Sequence, residues 1–183
     1  MDVPRFTSTK KRIGSRLPTW KSKVTSTNPL HRYFGWYSDA GHTELITRQM
    51  VNDLRHWHSV RQKPMVITEY GADTVAGLHQ DPPFVFTEEF QAELMAKNHA
   101  AFDEARREGI LHGEMIWNFA DFMTKQGVTR VVGNKKGIFT RQRQPKTSAH
   151  VLRARYWRLA REHVKSTVPE EPPSSGMCFN QGK

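Results

Sequence analysis

The sequence has a single cysteine, Cys178, among its 183 residues, so an internal disulfide is excluded. It contains no run of about 18 apolar residues, the length that a membrane-spanning helix needs. It also lacks an Asn-x-Ser/Thr acceptor, and its N-terminal residues contain no apolar segment of the secretory type. These absences predict a chain with no membrane span and no disulfide framework, and they leave its compartment open.

Negative charge is scarce relative to positive charge. The chain has 28 Lys and Arg against 18 Asp and Glu, a formal net charge of +10. Basic chains attract polyanions, so nucleic acid and acidic polysaccharide are ligand classes to weigh. No zinc-finger spacing, RNP-like aromatic pattern or basic zipper accompanies the charge, and we do not expect nucleic acid as a partner. A solvated helix face and a basic N-terminal segment are the simpler interpretation of the block formed by Arg141, Arg143, Lys146, Arg153, Arg155, Arg158, Arg161 and Lys165.

Apolar periodicity divides the chain into three parts. Residues 1–28 lack it and are rich in Lys, Arg, Ser, Thr and Pro, which predicts a disordered or irregular basic segment. Residues 167–183 predict a disordered tail, and residues 29–166 one folded domain. Within that domain the pattern predicts, in order, a helix from Thr43, a strand at Met65–Thr68, a helix capped by Thr87, a strand at Ile110–Phe119 and a helix from about Thr147 that buries Val151, Leu152, Tyr156 and Leu159.

Alternation of helices and strands predicts an α/β fold with parallel strands. The apolar run at residues 65–68 is typical of a strand that is covered on both faces. A complete eight-fold barrel needs about 250 residues, so we predict the C-terminal portion of a TIM (β/α)8 barrel, incomplete in this chain. An open doubly wound sheet is the alternative, although no Gly-rich phosphate loop follows either strand.

Functional side chains stand where both predicted strands end: Glu69 on the first and Trp117 on the second. In a barrel, residues at the carboxyl ends of strands face the active site. A glutamate there suits a nucleophile or base in glycoside hydrolysis, and aromatic rings stack on sugars. The alternative for Glu69 is a capping or ion-pair role.

Other polar residues carry weaker signals. His56 and His58 flank Trp57 without a metal-binding helical motif, so we predict no metal, and no cofactor is expected. Residues in or near the loops that could shape a pocket are Asp73, His79 and Asp121. For Glu114, on the second strand, a structural ion pair is the favoured interpretation.

Two long segments carry a resemblance: TEYGADTVAGLHQDPP and WNFADFMTKQGVTRVVGNKKGIFTRQRQPK. They resemble the C-terminal part of the catalytic domain of the β-glucuronidases, retaining glycoside hydrolases of family 2, and the similarity extends from about Tyr33 to Ala160. The resemblance implies hydrolysis of terminal β-D-glucuronides, in glycosaminoglycans or small-molecule conjugates. Because animal relatives act in lysosomes and assemble as tetramers, it also implies a lysosomal location and a homo-oligomer.

The resemblance also implies roles for individual residues. Glu69 matches the family's nucleophile, and Trp117 matches the tryptophan that closes the floor of the sugar site. A hydrogen bond to the nucleophile is expected from one of two pocket-lining tyrosines, Tyr33 and Tyr37. Recognition of the uronate carboxylate is expected from Asn134 and Lys136, reinforced by Arg130. From the residues alone, aromatic packing explains the tyrosines and an exposed basic turn explains GNKKG.

The sequence also departs from the family pattern. The family's acid/base glutamate follows an asparagine, and this sequence has no Asn-Glu dipeptide. His31 occupies the position of an expected asparagine, and KSKVTSTNPL is too polar for the apolar strand expected before the tyrosines. We therefore expect a truncated chain that is inactive on its own. The alternatives are a non-catalytic fragment that associates with full-length β-glucuronidase subunits and a basic polyanion-binding protein.

Overall fold

The fold is a three-stranded parallel sheet with a helix after each strand. The computed structural model describes residues 26–163, so the predicted tail at 167–183 and most of the basic segment at 1–28 lie outside the described residues. The elements are β1 (Asn28–His31), α1 (Thr43–Arg61), β2 (Met65–Glu69), α2 (Glu88–Arg107), β3 (Leu111–Glu114) and α3 (Thr147–His163). The strand order is β1-β2-β3, with both pairs parallel.

The first two helices follow the predicted apolar stripes. α1 buries Ile46, Met50 and Leu54, each four residues after the last, which places them on one face of the helix. Met50 and Leu54 share a core cluster with Met65 and Ile67 of β2. α2 begins after Thr87, whose hydroxyl accepts a hydrogen bond from the Phe90 amide at 3.2 Å. After α2, Gly109 has a φ of +73°, a conformation that glycine adopts without the steric cost of a Cβ.

The core lies between β2 and the helices. Met65 and Ile67 are fully buried in one cluster with residues of α1, α2 and β3. Val66 and Thr68, which alternate to the other face, are only half-buried. The prediction of a strand covered on both faces is therefore wrong within the described residues, because the sheet does not close on itself and nothing packs fully on its second face.

Two strands differ from the sequence prediction. β1 was not predicted, yet it pairs with β2, and Leu30 is its buried residue. Backbone pairing with a neighbouring strand forms it without an apolar run. β3 is shorter than the predicted strand at Ile110–Phe119, because after Glu114 the chain keeps only single hydrogen bonds to β2 and its loop, from Met115 N to Ile67 O (2.8 Å) and from Trp117 N to Tyr70 O (2.9 Å).

α3 starts at Thr147 as predicted, but of the four side chains predicted to be buried only Leu152 is, and Tyr156 is 40% exposed. The reason is that no element of the described chain covers the free edge of β3. An open apolar groove of about 520 Å³ lies there, lined by Ile116, Phe119, Ile138, Phe139, Leu152 and Tyr156, among others. No helix between residues 26 and 163 is long and apolar enough to cross a membrane.

Candidate active site

Glu69 ends β2 beside the segment that follows β1. The parallel register places His31 opposite Glu69, so the next residues of the chain cross the carboxyl end of β2. The Tyr33 hydroxyl donates a hydrogen bond to Glu69 Oε2 at 2.7 Å. Burial, together with that bond to a carboxylate, raises the pKa of Tyr33 far above its ordinary value. Tyr33 therefore remains a protonated donor to Glu69.

His31 is a second neighbour of Glu69. Its Nδ1 lies 3.5 Å from the same Oε2, and its side chain is 60% exposed. The sequence singled out His31 only as a departure from the family pattern. Its position opposite Glu69 in the strand register was the missing information, because β1 was not predicted.

Three aromatic rings surround the ammonium of Lys136. The Tyr33 and Tyr37 rings meet edge to face with centroids 5.0 Å apart. Lys136 Nζ lies 4.8 Å from the ring centroids of Trp36 and Tyr37 and 5.5 Å from that of Tyr33. Because only 1% of Lys136 is exposed, these cation–π contacts are shielded from water. Glu69 and Lys136 thus contact the same tyrosine, one at its hydroxyl and the other at its ring.

Asp73 joins Lys136 to Arg130. Lys136 Nζ donates a hydrogen bond to Asp73 Oδ1 at 2.7 Å, and Arg130 Nη1 lies 3.5 Å from Asp73 Oδ2. Arg130 Nη2 in turn donates to the Tyr37 hydroxyl at 2.5 Å. The sequence named Asp73 only as a loop residue able to shape a pocket, and the structure makes it the common anionic partner of two predicted site cations.

Asn134 supports the backbone of the loop that carries Lys136. Its Oδ1 accepts a hydrogen bond from the Lys136 amide at 3.1 Å, and its own backbone exchanges two hydrogen bonds with Phe122. Gln91 on α2 adds a hydrogen bond to the Lys136 carbonyl at 3.3 Å. GNKKG is therefore a packed loop with a buried lysine rather than an exposed basic turn.

Trp117 stands at the end of the segment after β3, next to the end of β2. Its amide donates to the Tyr70 carbonyl at 2.9 Å, and its peptide bond to Asn118 is cis. A Cβ on Gly71 would lie 2.7 Å from the Trp117 carbonyl oxygen, and Gly71 has a φ of +140°. The glycine that follows Glu69-Tyr70 therefore allows the ends of β2 and β3 to approach each other.

The remaining polar candidates have structural partners. Glu114 pairs with Arg155 at 2.7 Å, as the ion-pair interpretation predicts, and Arg106 also donates to it. Asp121 pairs with Lys146 at 2.8 Å, and His79 lies 2.6 Å from Glu89. Residues 26–163 contain no group of three His, Cys, Asp or Glu side chains able to hold a metal ion.

The basic block of the sequence is less available than its composition indicates. Lys146 and Arg155 are buried, and Arg158 pairs with Asp103 at 2.8 Å on the surface of α3. Because these three side chains are buried or paired with carboxylates, the basic block does not form a continuous positive face for a polyanion.

The arrangement gathers five predicted residues at one edge of the sheet: Glu69, Tyr33, Tyr37, Arg130 and Lys136. Asn134 lies beneath Lys136 in the same loop, and Trp117 is at the neighbouring strand end. A carboxylate and two cations near aromatic rings can hold an anionic sugar beside a nucleophile.

Comparison with known proteins finds one family. Residues 7–161 match the family "Glycosyl hydrolases family 2, TIM barrel domain". The β-glucuronidase of Homo sapiens is 56% identical over 133 residues, 73% of this chain and 20% of that protein. That of Felis catus is 54% identical over 150 residues, 79% of this chain and 23% of that protein. The chain thus spans about a fifth of the length of the curated relatives it matches.

Solved structures give the same result. A β-glucuronidase of an uncultured Clostridium sp. is 50% identical with a TM-score of 0.69, over 72% of this chain and 23% of that one. Bifidobacterium dentium β-glucuronidase, complexed with coumarin-3-O-glucuronide, is 43% identical with a TM-score of 0.66, over 71% of this chain and 20% of that one. The predicted partial TIM barrel and the resemblance to β-glucuronidases are therefore confirmed.

Proposed function

The chain belongs to the glycosyl hydrolases of family 2, and on that premise we propose that it supplies the nucleophile and the uronate-binding residues of a retaining β-glucuronidase site. One observation carries the proposal: the Glu69 carboxylate and the Lys136 ammonium lie on the same tyrosine, Tyr33, at 2.7 Å from its hydroxyl and 5.5 Å from its ring centroid. A sugar acid held by Lys136 therefore lies within reach of Glu69.

Glu69 attacks the anomeric carbon in the proposed reaction. The glycosidic C–O bond breaks as the Glu69 ester forms, and the departing oxygen takes a proton from an acid carboxyl group. Water, deprotonated by that second group, then releases the sugar and restores Glu69. Two inversions at the anomeric carbon retain its configuration. The Tyr33 hydroxyl holds one oxygen of Glu69 and thereby leaves the other to react.

Specificity for terminal β-D-glucuronides is proposed to come from Lys136 and Arg130. A uronate carboxylate accepts charge-assisted hydrogen bonds from both, and Asn134 fixes the loop that carries Lys136. A neutral glucoside leaves the buried ammonium without that second anion, which makes discrimination against it large. Trp117 is proposed to close the floor of the sugar site.

In the family, the acid/base carboxyl group belongs to a glutamate that follows an asparagine. These 183 residues contain no Asn-Glu dipeptide. Loss of a general acid typically costs about 10²–10⁴ in rate. The three described strands also form only part of an eight-stranded wall. We therefore propose that a polypeptide of this sequence is inactive alone and that the rest of a barrel completes its site.

A second candidate role is association with β-glucuronidase subunits without catalysis. The groove beside β3 favours it, because about 520 Å³ of apolar space and a free strand edge lie open there.

By resemblance to animal relatives, the proposed setting is the lysosome and the proposed assembly a tetramer.

Hydrolysis of 4-nitrophenyl β-D-glucuronide tests the proposal. The chain alone is compared with a hybrid enzyme, in which residues 26–163 replace the equivalent segment of a complete β-glucuronidase. We expect turnover by the hybrid and none by the chain. Turnover by the chain that is lost in Glu69→Gln contradicts the proposed inactivity, and a hybrid that folds but prefers the matching glucoside contradicts the proposed specificity.

Co-purification of the chain with a full-length β-glucuronidase, without added activity, supports the second role.

A further inference from the structure

A buried carboxylate lies between the two cations assigned to the uronate. Asp73 is 0% exposed, its Oδ1 accepts a hydrogen bond from Lys136 at 2.7 Å, and its Oδ2 is 3.5 Å from Arg130 Nη1. Oδ2 is buried and accepts no hydrogen bond from any residue between 26 and 163. Two cations and one anion leave this cluster with a single positive charge.

Asp73 also determines where the Lys136 ammonium points. An ammonium has three N–H donors, and among the described residues Asp73 is the only hydrogen-bond acceptor of Lys136 Nζ. The surrounding rings of Tyr33, Trp36 and Tyr37 attract a cation but do not fix an individual N–H direction. The hydrogen bond to Asp73 therefore supplies the direction.

The pair Asp121–Lys146 shows what a purely structural counterpart looks like. Lys146 Nζ donates to Asp121 Oδ1 at 2.8 Å and also to the carbonyls of Thr74 (3.2 Å) and Lys135 (2.9 Å). All three of its donors are used within the protein. Lys136 is equally buried but has no backbone acceptor among the described residues, so two of its three N–H groups have no hydrogen-bond acceptor there.

Resting on the proposed function, we propose that Asp73 is a positioning and charge-setting residue of the uronate pocket. It holds Lys136 in place, and it leaves the cluster of Asp73, Lys136 and Arg130 with one uncompensated positive charge. A sugar with one carboxylate neutralises that charge. A sugar phosphate carries nearly two negative charges at pH 7.5, and its second charge is repelled by Asp73 in a site that excludes water.

Binding to three hexoses that differ at C6 tests this proposal on the 183-residue chain itself. The probes are D-glucuronate, D-glucose 6-phosphate and D-glucose, followed by NMR titration at pH 7.5. We expect the wild-type chain to prefer glucuronate, and Asp73→Asn to raise the affinity ratio of glucose 6-phosphate to glucuronate about tenfold. Asp121→Asn, the matched control, keeps the wild-type ratio.

The outcomes separate the two proposals. A wild-type chain that binds glucuronate no better than glucose overturns the charge-setting proposal. The proposed function is contradicted separately, by a hybrid enzyme that folds but prefers the glucoside. A glucuronate preference combined with an unchanged ratio in Asp73→Asn overturns the charge-setting proposal alone. Asp73→Glu, which keeps the charge, is the second variant: it retains the wild-type ratio, and a tenfold rise there overturns the proposal.

A spectroscopic reading tests the positioning role without a ligand. In the ¹⁵N-lysine-labelled chain, we expect the buried, hydrogen-bonded ammonium of Lys136 to exchange slowly with water and to give its own signal. Asp73→Asn is expected to abolish or shift that signal and to leave the Lys146 signal in place. Asp121→Asn is expected to abolish or shift the Lys146 signal and to leave the Lys136 signal in place. A Lys136 signal that is unchanged in a folded Asp73→Asn chain overturns the positioning role.

Discussion

The Tyr33 hydroxyl lies 2.7 Å from Glu69 Oε2, so a residue just after β1 orients the carboxylate that ends β2. The same tyrosine contacts Lys136 through its ring. Its hydroxyl therefore contacts the proposed nucleophile, while its ring lies beside the lysine that is proposed to bind the uronate.

Removing that hydroxyl is expected to slow the chemical step. In the hybrid enzyme, Tyr33→Phe should lower kcat for 4-nitrophenyl β-D-glucuronide by about tenfold to a hundredfold, the range for a hydrogen bond to a charged group. KM should change less, because the ring beside Lys136 remains. Tyr156→Phe is the control, since it loses the same atom at the groove beside β3, away from Glu69. Equal kcat values for the two variants would show that Tyr33 only packs.

A buried histidine is expected to make the fold sensitive to acid. His99 Nε2 lies 2.9 Å from the Tyr70 hydroxyl, and burial lowers the pKa of His99 from 6.5 to about 4. Between pH 6.5 and about pH 4, His99 is protonated in the unfolded chain but stays neutral in the folded chain. The neutral His99 therefore leaves the free energy of unfolding at its full value above about pH 6.5, and that free energy decreases as the pH falls towards 4.

Denaturant unfolding at pH 7.5 and pH 4.5 measures this effect. We expect His99 to account for roughly 3 kcal/mol of the decrease in unfolding free energy across its titration range. His99→Gln should flatten the pH dependence by about that amount, and His150→Gln, on the exposed face of α3, should not. The same slope in both variants contradicts the assignment to His99.

A close backbone contact is expected to make Gly137 intolerant of a side chain. A Cβ at Gly137 would press against the backbone of Asp121 and Ala120, neither of which can rotate away. We expect Gly137→Ala to lower the free energy of unfolding by about 1–3 kcal/mol, the usual cost of overpacking. Gly127→Ala is the control because nothing lies within 4 Å of its Cβ position. Urea unfolding of the two variants checks the difference, and equal midpoints would contradict it.

The helices were predictable because their signals are local. Ile46, Met50 and Leu54 repeat at helical spacing, and Thr87 caps α2 through an amide three residues away. β1 was missed because its stability comes from pairing with β2, more than thirty residues away in the chain. Burial of Tyr156 was predicted wrongly for the same reason, since it depends on a neighbour across the open edge of the sheet.

The residues of the candidate site also divide into those with a local sequence signal and those whose position depends on distant parts of the chain. Glu69, Lys136 and Asn134 were predicted as site residues because they stand in long motifs that resemble one family. The partner of Lys136 was not found, because Asp73 lies 63 residues earlier and meets it only when two loops pack together. The proximity of His31 to Glu69 depends on the register of a strand that the polar sequence did not predict.

Covalent trapping of the nucleophile tests the central claim most directly. The hybrid enzyme is treated with 2-deoxy-2-fluoro-β-D-glucuronosyl fluoride, whose C–F bond at the anomeric carbon breaks as a carboxylate ester forms and fluoride leaves, and the adduct is mapped by mass spectrometry. We predict one sugar attached at Glu69, no adduct in Glu69→Gln, and slower labelling in Lys136→Met. An adduct on another carboxylate, or hydrolysis of glucuronides at an undiminished rate by Glu69→Gln, would contradict the account.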